Sequence, residues 1–475
     1  MDFRTSIAAL IESGLEKVFG SAALDAPSIA QSLEVPPDAA LGDYAFPCFR
    51  LAKSLRKAPP AIADQLAGAV GAPFLSKIES VKGYLNFYID RSVYAREVLS
   101  AASAQGEAYG GGTEGAGRTV CIDYSSINIA KRFHIGHLST TMIGSSLTRL
   151  YRFRGYRPVG INHLGDWGTQ FGKMVCAYKK WGDRAAVEAG GVDEMVKLYV
   201  QFDRESENDP QLADEGRAWF KKIEDGDPEA LSIFNWFKEV TLKDAQKVYE
   251  LLGVTFDSYA GESFYNDKMD RVIEELRAKN LLTESDGAWI VNLEAYNMPP
   301  CLILKKDGAT LYATRDLAAA LYRKDTYDFD RSLYVVAYQQ DLHFRQLFKV
   351  LEMMGYDWAK NMEHVSFGMV SYEGQTLSTR KGHVVYLEDL LSTAIQKARA
   401  IIDEKSPNLN DKDTVARQVG VGAVVFFDLY NNRIKDIDFW WDRALNFDGE
   451  TGPYVQYTHA RCCSVLRKAD AAGLS

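Results

Sequence analysis

Two histidines three positions apart, His134 and His137, flank an Ile-Gly pair in the stretch NIAKRFHIGHLSTT. Histidine is scarce here, with 7 in 475 residues, so an HxGH tetrapeptide should arise by chance on the order of 0.01 times per chain. Imidazole N–H groups on one turn can donate to phosphate oxygens and stabilise charge that builds there during phosphoryl chemistry. Gly136 adds a point where backbone can approach a ligand closely. The competing reading makes one histidine a helix cap and the other a surface residue. Context favours chemistry. TVCIDYSSIN reads as a short apolar strand, and HLSTTMIGSSLTRLYRFRGY carries apolar residues at helical spacing up to Gly155. The motif thus sits where a strand hands over to a helix, whose first N–H groups face the space in front of it.

RPVGINHLGDWG supplies a second short strand, completing the strand, loop, helix, strand grammar of a doubly wound nucleotide-binding sheet. Further strand-like pieces follow in GAWIVNL, PCLILKKDG, SLYVVAYQQ and HVSFGMV. The charged helical segment from about Gly172 to Leu252 is too long for one crossover and reads as an insertion. Residues 1–105 read as an appended α+β domain, the glycine-dense 106–117 as a linker, 118–405 as the sheet domain, and 406–475 as helical again. A chain of 475 residues exceeds what one core usually organises, so two to three domains are expected. No run approaches the ~20 apolar residues of a membrane span, and acidic residues inside the N-terminal apolar pattern indicate an amphipathic helix rather than a signal peptide. Cys48, Cys121, Cys176, Cys301, Cys462 and Cys463 form no CxxC pair, which points to reduced thiols, a cytoplasmic location and no structural zinc. The net charge of −9 excludes a surface basic everywhere while leaving room for local basic patches.

SSINIAKRFHIGH, HLGDWGTQFGK, LYATRDLAAALYR, YVVAYQQDLHFRQLF, FGMV with LSTRKG, and GPYVQYTHAR occur in this order. Together they resemble the arginyl-tRNA synthetases, a family of class I aminoacyl-tRNA synthetases, over nearly the whole chain. The resemblance implies a Rossmann-like doubly wound parallel sheet with a helical insertion, an N-terminal tRNA-binding α+β domain and the start of a C-terminal helical bundle. It implies that L-arginine is activated by ATP, with Mg2+ arriving on the nucleotide and no dedicated protein metal site, and then transferred to tRNA(Arg). A monomer with no membrane contact is expected.

The second class I signature corresponds to residues 377–382, LSTRKG, where Thr379 stands in place of a lysine, a form common among arginyl enzymes. The cation that neutralises pyrophosphate is then open among Lys131, Arg380 and Lys381; on residue types alone STRKGH is equally a solvated basic loop. By resemblance the ATP contacts fall at His134, Gly136, His137, Phe367, Met369, Val370 and Ser378. A guanidinium presents five donors in a plane and calls for acidic or amide acceptors. Tyr312 and Asp316, four apart, share a face if helical, and the resemblance gives both to the guanidinium; Asp316 also fits a first-turn acid favoured by the helix dipole. Gln340 is similar to the family's amide contact, and Asp123 and Asn128 to positions at the amino-acid end. Asp123 is shorter than the glutamate common there, and Asn128 could equally cap a helix. Asp166 and Trp167 could simply shape a turn.

For RNA, Arg50, Lys53, Arg56 and Lys57 recur at helical spacing and could form a cationic stripe for phosphates or ordinary solvated surface. Asn86, with Tyr84 and Phe87, could face an unpaired base or belong to strand core. The stretch from Asp411 resembles the opening of a helical anticodon-binding domain that continues in family members, so Val424, Phe426, Phe427, Tyr454 and Tyr457 are expected to be partly uncovered and tRNA discrimination weak. Two other functions compete: a class I relative passing its adenylate to a non-tRNA acceptor, and a non-catalytic RNA-binding scaffold. Pyrophosphate exchange with and without tRNA separates the three.

Overall fold

Asp2 accepts the backbone N–H of Thr5, and Gly20 at φ 70° closes the other end of helix α1 (Phe3–Phe19). In the computed structural model, which describes residues 2–21, 23–306, 312–376 and 384–473, α1 opens the first of two compact units, Met1–Gly111 and Gly112–Ser475. The first unit continues through α2 (Ala26–Ser32), β1 (Tyr44–Pro47), α3 (Ala52–Leu55), α4 (Pro59–Ala67), β2 (Leu75–Val81), β3 (Tyr84–Ile89) and α5 (Arg91–Gln105). Its sheet runs β1-β3-β2, antiparallel throughout, over a core including Ile7, Ile11, Phe46, Leu66, Leu85 and Phe87.

The cationic stripe does not form on one helix. Residues 48–51 are a 3-10 turn, α3 is four residues long, and Arg56 is left-handed at φ 48°. Pro59 drives Ala58 into an extended conformation, so the chain must leave the helix before α4 begins. Arg50, Lys53, Arg56 and Lys57 stay exposed, but on three successive segments. Asn86 is also corrected: it lies on the central strand β3 at 3% exposure, and Phe87 is fully buried.

The second unit is built on four parallel strands, β4 (Thr119–Asp123), β5 (Arg157–Ile161), β9 (Arg331–Tyr334) and β10 (Met362–His364), in the order β10-β9-β4-β5. Both faces are covered: Val120, Ile122 and Leu333 enter one core, Cys121, Val159 and Tyr334 the other. Helix α6 (Leu138–Phe153) packs on the first face, its glycine at 144 leaving room for Tyr124, whose ring would stand 2.2 Å from an added Cβ. The insertion is four helices, α7 (Thr169–Trp181), α8 (Arg184–Ser206), α9 (Pro210–Glu224) and α10 (Pro228–Leu252). Helix α8 is kinked at Gly191, φ 57°.

Next come α11 (Met269–Ala278) and an antiparallel sheet of β6 (Leu282–Ser285), β7 (Ala288–Val291) and β8 (Cys301–Leu304). Helices α12 (Tyr312–Tyr327) and α13 (Asp341–Met353) cover the second face of the parallel sheet. A small sheet joins β11 (Val370–Tyr372) and β12 (Gln375–Thr376) to β13 (Ile437–Phe439), a strand the hydrophobic pattern did not reveal. The rest is helical: α14 (Leu387–Lys405), α15 (Lys412–Tyr430), α16 (Trp441–Ala444) and α17 (Gly452–Ala471). Val424 is fully buried, contrary to expectation, whereas Tyr454 and Tyr457 are exposed. Among the described residues no helix is long and apolar enough to cross a membrane.

Candidate active site

Strand order reverses between β4 and β9, and ligands of doubly wound sheets bind outside the carboxyl ends of strands at such a point. The loop after β4 carries the histidines. Three of its non-glycine residues, Ser125, Ser126 and Ala130, have positive φ, a strain of roughly 1–3 kcal/mol each that the surroundings must offset. They do so with buried hydrogen bonds. Thr140 Oγ1 of α6 accepts from Ser125 N at 3.0 Å and donates to Val335 O at 2.6 Å. Ser125 Oγ meets Tyr249 Oη at 2.8 Å, and Ala130 N donates to Thr241 Oγ1 of α10 at 3.1 Å.

The His134 and His137 rings lie 4.0 Å apart between centroids, tilted by 39°. His134 Nδ1 accepts from Gly136 N at 3.1 Å, and His137 Nδ1 accepts from His134 N at 3.3 Å. A neutral imidazole that accepts at Nδ1 carries its proton on Nε2, so both rings present N–H donors on their outer edges. Burial lowers the pKa of His134, with help from the Lys131 charge, and takes His137 down to about 3, chiefly by burial. Both are therefore neutral donors at pH 7. Gly136 has a local reason too: a Cβ there would lie 2.9 Å from the His134 ring. Lys131 is exposed beside them.

On the other side of the crevice, Asp316 Oδ2 is 2.7 Å from His343 Nε2, and Asp316 Oδ1 is 4.0 Å from His163 Nε2. Burial alone would raise the Asp316 carboxyl; the hydrogen bond and charge of His343, with His163 and Arg323 behind it, hold it below its usual value. His343 is raised in turn: burial works against its charged form, and the hydrogen bond and charge of Asp316 together outweigh it. Glu262, half-buried, is pushed up to about 7 by burial and by the like charges of Asp316 and Asp166, against the pull of Arg315.

Several sequence-derived contacts land elsewhere. Asp123 is nearly buried and engaged within the fold: its Oδ2 accepts from Arg323 Nη2 at 2.7 Å and its Oδ1 from Ser126 Oγ at 2.9 Å. Asn128 caps no helix; it lies exposed in a bridge with Gly165, whose missing side chain makes room for the Asn128 amide. Tyr312 shares α12 with Asp316 but is 70% exposed. Phe367 and Val370 point into the core, leaving Met369 the open residue of the three. Gln340 is exposed at the end of a 3-10 turn that Tyr338 N joins to Phe367 O at 3.0 Å. Asp166 is fully buried, accepting from Ser263 N and Oγ at 2.8 and 2.7 Å and pairing with Lys238 Nζ at 2.6 Å, so it fixes the turn; Trp167 packs against Phe220 and Phe234. Ser378, Arg380 and Lys381 lie outside the described residues.

Residues 98–441 match the family described as tRNA synthetases class I (R), catalytic domain, and residues 5–89 match the arginyl tRNA synthetase N terminal domain. The arginine–tRNA ligase of Alkaliphilus metalliredigens is 54% identical over 472 residues, 99% of this chain and 82% of that one. That of Clostridioides difficile is 54% identical over 470 residues, with the same coverage. The chain belongs to the arginyl-tRNA synthetases. Its fold is shared by Thermus thermophilus arginyl-tRNA synthetase at 24% identity and by the Plasmodium falciparum arginyl-tRNA synthetase at 23%, both with a TM-score of 0.78. These cover 98% of this chain and 82% and 81% of theirs.

Within this family member, His163, His343, Arg323 and Glu262 were missed by motif reading. Histidine scarcity, which drew attention to HIGH, would have flagged His163 in NHLGDWG and His343 in QQDLHF. Arg323 closes the motif LYATRDLAAALYR, yet neither its task nor that of Glu262 is legible locally, because the setting of each depends on residues distant in sequence.

Proposed function

We infer that this chain joins arginine to tRNA(Arg) through arginyl-adenylate, at the crevice just described. The arginine carboxylate attacks the α-phosphorus of ATP; the bond to the bridging oxygen breaks and pyrophosphate leaves. A terminal ribose hydroxyl of tRNA then attacks the adenylate carbonyl, and AMP departs. No protein nucleophile is needed, so alignment and charge stabilisation carry the rate. The Nε2–H groups of His134 and His137 meet the transferring phosphate, and being neutral they hold it without trapping it in an ion pair. Lys131 supplies the nearby cation. Mg2+ would arrive with the ATP phosphates and offset their charge. Arg50, Lys53, Arg56 and Lys57 are the proposed phosphate contacts of the N-terminal unit.

The observation that carries the choice of amino acid is the pair Glu262 and Asp316. A carboxyl raised by burial, and further by a like-charged neighbour, is relieved by an incoming cation, and a guanidinium can donate hydrogen bonds to both. His343, now on Asp316, yields its place or turns aside. Pyrophosphate exchange into ATP, run with arginine, lysine and citrulline and with or without tRNA, tests this. Exchange specific to arginine is expected; comparable exchange with citrulline, a neutral urea of the same shape, would overturn the assignment.

A further inference from the structure

Arg132 stands two residues ahead of His134, and the crevice reading gives it no task. Its guanidinium centre lies 3.7 Å above the Tyr386 ring. Nε is 3.2 Å from Asp193 of α8 and Nη2 is 3.6 Å from Asp389 in the first turn of α14. Both partners have reasons to be where they are. Asp193 follows the Gly191 kink, which Asp244 of α10 holds by accepting Val192 N at 2.9 Å; a Cβ at position 191 would lie 2.3 Å from that carboxylate. Tyr386 runs antiparallel to the histidine loop, with Ile135 N bonded to Val385 O and Leu387 N to Phe133 O, both at 2.9 Å. Beside Arg132 opens a cavity of about 760 Å³, lined by Lys131, Gly191, Asp244 and Glu388 among others.

We propose that Arg132 is a positioning residue, clamping the histidine loop to the kinked insertion helix and to the start of α14. The proposal rests on the reading of His134 and His137 as phosphate donors. Exposed ion pairs add little to stability, so the effect of the clamp is on geometry. The stacked planar group is something lysine reproduces only in part. Loss of the clamp lets His134 and Lys131 drift toward the cavity, misaligning donors while leaving the Asp316 pocket intact.

The test is tRNA-supported pyrophosphate exchange with Arg132→Met, Arg132→Lys, Asp193→Asn and their combination, with His134→Ala in parallel. Arg132→Met should lower kcat about ten-fold with arginine KM changed by less than about two-fold, and with an unchanged thermal midpoint. Arg132→Lys should recover part of the rate, and Arg132→Met with Asp193→Asn should be less than additive. Unchanged kcat in Arg132→Met, or a change confined to arginine KM, overturns the clamp. Should Arg132→Met fail to fold, Asp193→Asn and Tyr386→Leu carry the same expectation and the same overturning result. If His134→Ala loses rate while the Arg132 and Asp193 variants do not, the clamp alone fails. If His134→Ala keeps full rate, the phosphate reading fails with it.

Discussion

At the phosphate end of the crevice, burial removes charge: His134 and His137 accept backbone N–H groups at Nδ1 and are held neutral. At the proposed amino-acid end, burial also works against the charge of Asp316, yet Asp316 is held below its usual value, chiefly because His343 sits on it at 2.7 Å. The same desolvation therefore has opposite outcomes, decided by whether an ionic partner is within reach. The difference suits the ligands proposed for the two ends. A polyanion bound by cationic histidines would be held as tightly before reaction as during it, whereas a guanidinium must be bound at a fixed charge throughout.

The largest effect expected from breaking this contrast is at the charged end. Asp316→Asn should raise the arginine KM by the equivalent of roughly 2–5 kcal/mol, since it leaves a buried cation unpaired, while kcat at saturating arginine moves less. Steady-state exchange at varied arginine checks this. At the neutral end, His134→Ala and His137→Ala should each lower the exchange kcat by about 2.7–4 kcal/mol with arginine KM nearly constant. A KM effect there would mean that the two ends are not separable.

Beneath the histidine end lies a third buried acid, Asp428 of α15, 6% exposed, with Ser139 Oγ of α6 at 2.5 Å and its other oxygen without a partner among the described residues. Burial raises it to about 6, against the Ser139 bond. An acid raised on folding contributes its stability fully below its unfolded pKa and loses it as pH climbs through the folded value. The second unit should thus lose about 1–3 kcal/mol between pH 4 and 6, and Asp428→Asn should flatten that slope in denaturant melts. The smallest effect concerns Glu262. Ionised, it attracts arginine; protonated, it does not. The arginine KM should rise about ten-fold as pH falls from 8 to 6, and Glu262→Gln should abolish that dependence.

The histidine loop, β4, α6 and β5 were legible because each rests on near neighbours: alternating apolar residues, a helical stripe ending at Gly155, and a rare tetrapeptide between them. The helical character of the segment from about Gly172 to Leu252 was plain from its length, but its division into four helices was not. What stayed hidden was pairing across the fold. Asp123 was read as a substrate contact from resemblance alone, and its bond to Arg323, 200 positions away, could not be seen in either motif. Asn86 sits in a strand whose register decides whether an amide faces in or out, and no local pattern states the register. The basic stripe failed for a third reason: even spacing implies one helix only where the backbone continues, and Pro59 forbids it. Strand β13 has three residues and exists by pairing with β11, about 70 positions earlier.

The salt bridge between Asp123 and Arg323 also bears on how the protein comes off the ribosome. At about 5–20 residues per second, Asp123 is made roughly 10–40 s before its partner. Through that interval β4 and β5 have a carboxylate at their inner edge with nothing to neutralise it, and β9, which flanks β4, does not yet exist. Ser139 waits longer still, since Asp428 lies 289 residues on. The β9-facing edge of β4 therefore stays unpaired until β9 follows α12, and a translational pause placed just before Arg323 would prolong that exposure.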